Sequence, residues 1–146
     1  MRLLSPLLAL GLLLTPAVAA AQTPEALVQA IYEEGQSVLP KEKLSLYYSR
    51  DLAAALARSQ DSDEGGVGFD WLYDAQDAEM TGLALEPIAD GPDGSLIEAT
   101  FNNFGEEKVV RWELCRRSNG DWRVVDVTST QWSLRELLDL PETYNC

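Results

Sequence analysis

The side chains of this sequence that could do chemistry are carboxylates. The sequence has 24 acidic residues against 11 basic ones, and it has no histidine. Without histidine there is no Ser-His-Asp triad, no histidine base and no histidine-liganded zinc site. Proton transfer by a carboxylate of raised pKa is the catalytic chemistry that this inventory still permits.

Two regions of the sequence supply candidate carboxylates. Asp70, Asp74 and Asp77 are spaced by four and three residues, so a helix would carry them on one side. Asp126 lies in a predicted strand further along the chain. As an enzyme, the chain would use Asp77 or Asp126 as the base and Tyr73 or Glu113 as the proton donor.

The acidic loop at residues 61–68 has some features of a calcium site. Asp61, Asp63 and Glu64 place oxygen ligands beside two glycines. An EF-hand counted from Asp61 has its glycine at Gly66, but Leu72 stands where the acidic twelfth residue should be. We therefore expect a solvated acidic turn, and we expect no metal and no cofactor.

Residues 1–21 have the pattern of a secretory signal peptide. An apolar run at residues 3–14, too short for a membrane span, is followed by small residues. Two cleavage sites overlap, ending at Ala19 and at Ala21, and the second leaves Gln22 as the new N-terminus. We expect a single mature domain, residues 22–146, that is periplasmic or secreted and has no membrane attachment.

The charge balance restricts the partners of that domain. The leader holds one of the basic residues, Arg2, and none of the acidic ones, so the net charge of −13 becomes −14 after cleavage. Such a chain repels phosphate backbones and anionic membranes, and we expect no nucleic-acid partner. The same charge suits association with a basic protein, as in an inhibitor or immunity factor.

Both cysteines, Cys115 and Cys146, remain after cleavage. Two cysteines in an oxidising compartment allow a single intramolecular pair, and we expect that disulfide. The alternative is a frayed tail with a free thiol. For a loop of this length, the chain-entropy model gives about 3 to 4 kcal/mol of stabilisation.

The elements that must position these residues begin with helices. Thr23 and Pro24 predict a helix start, and Gly35 its end. Ser49 is the expected cap of a second helix that extends through Arg58. Its expected buried side consists of Leu52, Ala55 and Leu56.

A third, short helix is predicted from Asp70 as its cap through Gln76. Asp77 would then stand at the negative end of the helix dipole, where a carboxylate is disfavoured. We therefore expect Asp77 to be paired with an arginine. The candidates are Arg111, Arg123 and Arg135.

Four strands follow, because the apolar residues now alternate. Leu83 and Leu85 indicate the first strand. The inward faces of the second and third are predicted to be Ile97, Ala99 and Phe101, and Val110, Trp112 and Leu114.

Asn119-Gly120 joins the third strand to the fourth. A two-residue turn there would pair Leu114 with Val125 and Trp112 with Val127, with Glu113 facing Asp126. That like-charge pair needs Arg111 or another cation beside it. A bulge in the fourth strand is the alternative, and it would turn Trp122, Val124 and Val127 inward together and move Asp126.

The last predicted element is a short helix opened by the capping box of Ser133 and Glu136 and ended by Pro141. Helices followed by antiparallel strands predict an α+β fold. In it, N-terminal helices pack on one face of a curved four-stranded antiparallel sheet, followed by a short C-terminal helix.

Four motifs of the chain resemble those of an uncharacterised family of secreted bacterial domains with a nuclear transport factor 2-like fold. They are WRVVDV at residues 122–127 with WSLRELL at residues 132–138, YYSRDL at residues 47–52, and the pairs at residues 69–70 and 76–77. The similarity spans residues 24–138, and it departs from the family pattern at Ala78 and Val125. The resemblance implies a cone of helices cradled by a bent sheet, and no known activity.

Three functions are compatible with these patterns. The first is a non-catalytic binding module, with an apolar pocket lined by Trp112, Phe101 and Leu83 or, alternatively, with those side chains filling the core. The others are the carboxylate enzyme and the factor that binds a basic protein. A homodimer through the sheet face is a further alternative. The candidate ligand-binding residues are Asp70, Gln76, Asp77, Trp112, Asp126 and Trp132.

Overall fold

The structure is a computed structural model that describes residues 22–63, 66–144 and 146, and the predicted signal peptide lies outside these residues. Helices precede an antiparallel sheet, so the α+β prediction is confirmed. In chain order the elements are α1 (Pro24–Glu34), α2 (Lys41–Tyr47), α3 (Arg50–Gln60), β1 (Met80–Asp90), β2 (Gly94–Asn103), β3 (Glu106–Arg116), β4 (Trp122–Thr128) and α4 (Leu134–Leu137).

The helix ends follow local rules of capping. The Thr23 hydroxyl accepts a hydrogen bond from the Ala26 N–H at 3.1 Å, and Gly35 ends α1 in the left-handed conformation at φ 73°. Ser49 occupies the N-cap position of α3, as expected. However, its hydroxyl donates to the Asp51 carboxylate at 2.8 Å and caps no backbone N–H of the helix.

The sheet has the order β1-β2-β3-β4, with each strand antiparallel to the next. Its apolar face packs on the helices, and α1 contacts β1, β2 and β4. The predicted inward residues of β2 and β3 are all buried: Ile97, Ala99, Phe101, Val110, Trp112 and Leu114.

The β3–β4 hairpin differs from the two-residue turn. Arg116 pairs with Trp122, and the Arg117 N–H donates to the Asp121 carbonyl, which leaves a three-residue loop. Leu114 therefore faces Val124, and the predicted pairing with Val125 is wrong.

Of the two alternatives for β4, the structure has the bulge, but the bulge does not move Asp126 as expected. The register shifts between Glu113 and Leu114, while Trp112 still faces Val127 and Glu113 still faces Asp126. Trp122, Val124 and Val127 are all buried, which strict alternation along a strand would not allow.

Residues 70–76 form a turn, and the predicted helix there is wrong. The backbone N–H and carbonyl of Asp70 bond to the carbonyl and N–H of Ala75, and Asp74 between them has φ 51°. The Asp70 carboxylate accepts from the Leu72 N–H at 3.0 Å, as it would at a helix start. An Asx turn uses the same contact, so a capping residue alone does not determine a helix.

The C-terminal segment returns to the sheet through the predicted disulfide. Cys115 in β3 and Cys146 are bonded, with Cα atoms 5.8 Å apart. The Ser133 hydroxyl accepts from the Glu136 N–H at 3.3 Å, which confirms the predicted cap of α4. The disulfide ties the end of the tail that follows α4 to β3.

Candidate functional site

The predicted site residue Asp70 is an organising residue of its turn. Besides the Leu72 N–H, its carboxylate accepts from the backbone N–H of Ser37 at 3.3 Å. One oxygen therefore accepts within the turn, and the other joins the turn to the connection after α1. Asp61, in the loop considered for calcium, is paired with Lys41 at 2.6 Å.

Gln76 at the end of that turn and Asp77 directly after it lie on the surface. The Gln76 side-chain amide donates to the Gly68 carbonyl at 2.7 Å. Asp77 is exposed, and its backbone carbonyl accepts from the Asn103 amide at 3.0 Å. No helix dipole acts on the Asp77 carboxylate, because the residues before it form a turn.

The prediction that Asp77 forms an ion pair with an arginine is wrong. The three candidate arginines pair with other carboxylates, and within the described part of the chain Asp77 has no ion pair. The observed pairs are Arg111 with Glu98 at 3.0 Å, Arg123 with Asp121 at 3.7 Å and Arg135 with Asp51 at 2.6 Å.

Trp112 lies at the centre of a filled core. Its side chain is 0% exposed, and its indole N–H is 3.4 Å from the hydroxyl oxygen of Tyr32, which in turn donates to the Leu72 carbonyl. Tyr32 meets Trp112 and Phe101 edge to face, with ring centroids 5.6 and 6.1 Å apart. Of the two alternatives for these aromatic residues, the structure has the filled core.

Tyr73, the predicted proton donor, belongs to the same aromatic cluster. It is 6% exposed and packs edge to face on Tyr32 and Phe101. Burial raises the pKa of Tyr73, and the negative charge of Asp70 adds to that effect. Its phenol is thus held neutral in the core.

Asp126 joins β4 to α4. Its carboxylate accepts from the backbone N–H groups of Val127 and Arg135 at 2.9 and 3.0 Å, and from the Ser133 hydroxyl at 2.7 Å. Both oxygens of this carboxylate thus accept hydrogen bonds from the protein itself. This part of the family-like motif at residues 122–138 therefore fixes the β4–α4 connection.

Glu113, opposite Asp126, is not neutralised by Arg111 as anticipated. Its carboxylate accepts from the Tyr144 hydroxyl at 2.5 Å. Burial and this hydrogen bond to Glu113 raise the pKa of Tyr144 to about 12. Each of the two facing carboxylates thus accepts hydrogen bonds from its own neighbours, Glu113 from Tyr144 and Asp126 from β4 and the start of α4.

Trp132 connects α4 to the distant turn at residues 70–76. Its indole N–H donates to the Asp74 carboxylate at 2.6 Å, and its ring lies edge to face on Phe69, with centroids 5.2 Å apart. Like the preceding residues it has a structural contact, and the assignment of all six predicted residues to ligand binding stays a prediction.

Arg135 is a buried cation that the site prediction did not include. Its side chain is 3% exposed, and one guanidinium nitrogen donates to the Asp51 carboxylate of α3 at 2.6 Å. The other donors reach the carbonyls of Val125, Pro141 and Thr143. Arg135 thereby holds α3, β4 and the C-terminal segment together.

The pKa of Asp51 reflects this contact. Burial opposes ionisation, but hydrogen bonds from Arg135 and Ser49 and the charge of Arg135 outweigh it, so the pKa of Asp51 lies below its ordinary value. A group whose pKa is lower in the folded state stabilises the fold above its unfolded pKa of about 3.9. That contribution is lost as the pH falls through the folded value.

We expect Asp51→Asn to lower the free energy of unfolding at pH 7 by about 1 to 2 kcal/mol, because a charged hydrogen bond to buried Arg135 is lost. Urea unfolding at a series of pH values measures it, and the difference from wild type should vanish in acid. The control is Asp61→Asn, which breaks the exposed Lys41 pair and should cost less than 1 kcal/mol. Equal losses for the two variants at every pH would contradict this role of Asp51.

A surface groove lies where the tail, the start of α3 and the β3–β4 loop meet. It consists of two adjoining cavities of about 370 and 550 Å³, which share Arg50 and Cys146. The smaller cavity is also lined by Arg116 and Arg117, and the larger cavity by Ala54 and Thr143. We call this surface the tail groove, defined by Arg50, Ala54, Arg116, Arg117, Thr143 and Cys146.

The charges of the tail groove are opposite to those of the chain as a whole. Among the described residues, no carboxylate oxygen lies within 4.0 Å of a guanidinium nitrogen of Arg50, Arg116 or Arg117. Asp51 lines the larger cavity, but Arg135 binds its carboxylate. Three cations thus line one cavity, and none of them forms an ion pair with a carboxylate of the described residues.

The tail groove has almost no signal in the sequence. Its local signal is the Arg116-Arg117 pair directly after Cys115, and Arg50 lies on a helix far away in the sequence. Only the fold, with the tail held by the disulfide, brings Cys146 and Arg50 next to the arginine pair.

No known family model matches this chain, and no curated protein is similar to it at a significant level. Among solved structures, the chain is similar to a phospholipid-binding protein from Ralstonia solanacearum, determined in complex with a phospholipid. The identity is 18%, the match covers 76% of this chain and 68% of that one, and the TM-score is 0.40. In the described part of this chain, no helix has the length and apolar character needed to cross a membrane.

Proposed function

We propose that this protein is a non-catalytic binding module that takes a small ligand in the tail groove. The observation that carries the proposal is the contrast between a filled interior and an open, charged groove. Ligand sites are concave and have a few convergent polar groups, and their volumes are commonly about 300 to 1,000 Å³. The two cavities of the tail groove are of that size.

The interior offers a ligand little room. Trp112, Tyr32 and Phe101 pack against one another between the sheet and the helices. A pocket behind the sheet would require these rings to move, and close-packed interiors resist such changes. This favours binding at the surface.

The carboxylates suggested for catalysis are occupied by neighbours. Asp126 accepts three hydrogen bonds and Glu113 accepts one from Tyr144. A general base needs a free lone pair directed at a substrate. Asp77 is exposed to solvent, whereas catalysis by a carboxylate is favoured in a site that excludes water. These contacts favour a binding module over the enzyme.

The fold and location that we propose follow the sequence patterns. A signal peptide at residues 1–21 would deliver the chain to the periplasm or the exterior, and the Cys115–Cys146 disulfide is compatible with an oxidising compartment. Helices followed by a four-stranded antiparallel sheet agree with what the nuclear transport factor 2-like resemblance implies. We propose that fold family for this domain.

Chemical-shift mapping on the oxidised secreted chain tests the proposed function. Anionic, neutral and cationic small molecules would be added, and backbone amides would be followed together with the Trp112 indole N–H. We expect at least one compound to shift Arg50, Ala54 and Thr143, with the Trp112 signal unchanged. No turnover of any compound is expected.

Other outcomes would identify other functions. Shifts at Trp112 would place the ligand in the interior, and shifts confined to Gln76 and Asp77 would place it at the predicted site. Turnover that Asp126→Asn abolishes would indicate the enzyme. Salt-sensitive binding of a cationic protein, without any small ligand, would indicate the factor for a basic partner.

A further inference from the structure

From the arginines of the tail groove we infer that its ligand is a small organic anion, a carboxylate or phosphate ester, whose charged group binds Arg50, Arg116 and Arg117. The inference rests on the proposed function and names the class of ligand.

The cations of this domain are few and unevenly distributed. Residues 22–146 contain ten lysines and arginines, and the described structure pairs six of them with carboxylates. Of the four others, three line the smaller cavity of the tail groove, and Arg58 lies in the last turn of α3. In a chain with 24 acidic residues, such a cavity is an exception that needs a reason.

Two of the three arginines have neighbours that restrict them. The Arg116 guanidinium lies over the Trp122 ring at 6.0 Å, and its Nε donates to the Gly120 carbonyl at 3.4 Å. Arg117 is half-buried, and its backbone N–H fixes the position of its main chain in the β3–β4 loop. A side chain that is already restricted, as that of Arg116 is, loses less entropy when it binds an anion.

The electrostatics of neighbouring Arg123 agree with an excess of positive charge. Burial lowers the pKa of Arg123, and repulsion by Arg117 lowers it further, while Asp121 acts in the opposite direction. Arg123 is held by Asp121 and by backbone carbonyls, including that of Ser45. It therefore contributes to the local field without lining the cavity.

The shape of the groove indicates that the anion carries a small apolar part. Beyond Arg50, the larger cavity is lined by Ala54 and Pro141, together with Thr143. The guanidinium fork matches carboxylate and phosphate oxygens, and the apolar lining suits a short alkyl chain. A soluble ligand is favoured over an anionic membrane, because the net charge of −14 opposes approach to an extended negative surface.

Calorimetric titration with three probes tests the class of ligand: monobutyl phosphate, inorganic phosphate and butylammonium. We expect monobutyl phosphate to bind most tightly, inorganic phosphate more weakly, and butylammonium not at all. Arg50→Gln and Arg117→Gln should each weaken binding of monobutyl phosphate about tenfold, the effect of losing one charged hydrogen bond.

The matched control is Arg58→Gln, which removes the same charge from the same helix as Arg50→Gln but outside the groove. Its affinity for monobutyl phosphate should stay within about twofold of wild type, since distant surface charges are screened. Equal weakening by Arg58→Gln and Arg50→Gln would overturn the inference. So would tighter binding of butylammonium than of monobutyl phosphate.

A vesicle experiment distinguishes a free anion from a lipid headgroup. The probe is a vesicle of phosphatidylcholine mixed with phosphatidylserine, an anionic phospholipid of natural membranes. The protein should not sediment together with these vesicles. Sedimentation that Arg117→Gln abolishes would overturn the assignment to a soluble ligand. If no anion binds but another compound shifts the amide signals of groove residues, this inference is wrong and the proposed function stands. If a compound shifts only signals of the interior, such as the Trp112 indole, both are wrong.

Discussion

Trp112→Ala should lower the free energy of unfolding by about 3 to 5 kcal/mol, the range for truncating a buried aromatic residue. The indole is 0% exposed and packs on Tyr32, whose hydroxyl lies 3.4 Å from the indole nitrogen. Removing it would leave a cavity that the sheet and α1 cannot close. Urea unfolding monitored by circular dichroism measures the loss.

This experiment also decides between core and pocket. Trp112→Phe is the conservative comparison, because it retains a ring against Tyr32 and loses the indole N–H; we expect it to be much less destabilising. A lining residue of an open pocket would behave differently. Trp112→Ala would then change stability by less than 1 kcal/mol and alter ligand affinity instead.

Removing the disulfide should have the second large effect. Cys115→Ala with Cys146→Ala should lower the free energy of unfolding by about 3 to 4 kcal/mol, as the chain-entropy model gives for a sequence separation of 31. The tail would also be released from β3, so Cys146 would no longer line the tail groove. We therefore expect weaker binding of monobutyl phosphate as well as lower stability.

Chemical reduction of the wild-type chain provides the control for this variant. If the bond acts through the constraint on the chain, reduced wild type and the double variant should unfold at nearly the same urea concentration. Arg135 still binds the carbonyls of Pro141 and Thr143, so part of the tail should remain docked. A double variant as stable as oxidised wild type would show that those contacts alone hold the tail.

Local structure followed from the sequence where a few adjacent residues decide it. Thr23 and Gly35 bound α1 because capping is a short-range interaction. The inward faces of β2 and β3 followed from alternation, since side chains of a strand point to opposite sides in turn. The bulge in β4 was predictable because Trp122, Val124 and Val127 cannot otherwise face one core.

The prediction of an element was wrong where the same local contact occurs in two kinds of structure. Asp70 makes the carboxylate contact of a helix cap, but the backbone closes on Ala75 as a turn. The choice depends on partners outside the segment, among them the indole of Trp132 on Asp74 and the N–H of Ser37 on Asp70. A contact 58 residues away in the chain leaves no mark on local spacing.

The sequence by itself determined the inventory of chemistry, the placement of helices before four antiparallel strands, and the single disulfide that two cysteines allow. Only the tertiary structure decided which charges meet. Arg135 pairs with Asp51 across 84 residues, and Arg50 joins Arg116 and Arg117 at one cavity. The physical reason is that electrostatic interactions depend on distance in space, and packing of the helices on the sheet sets that distance.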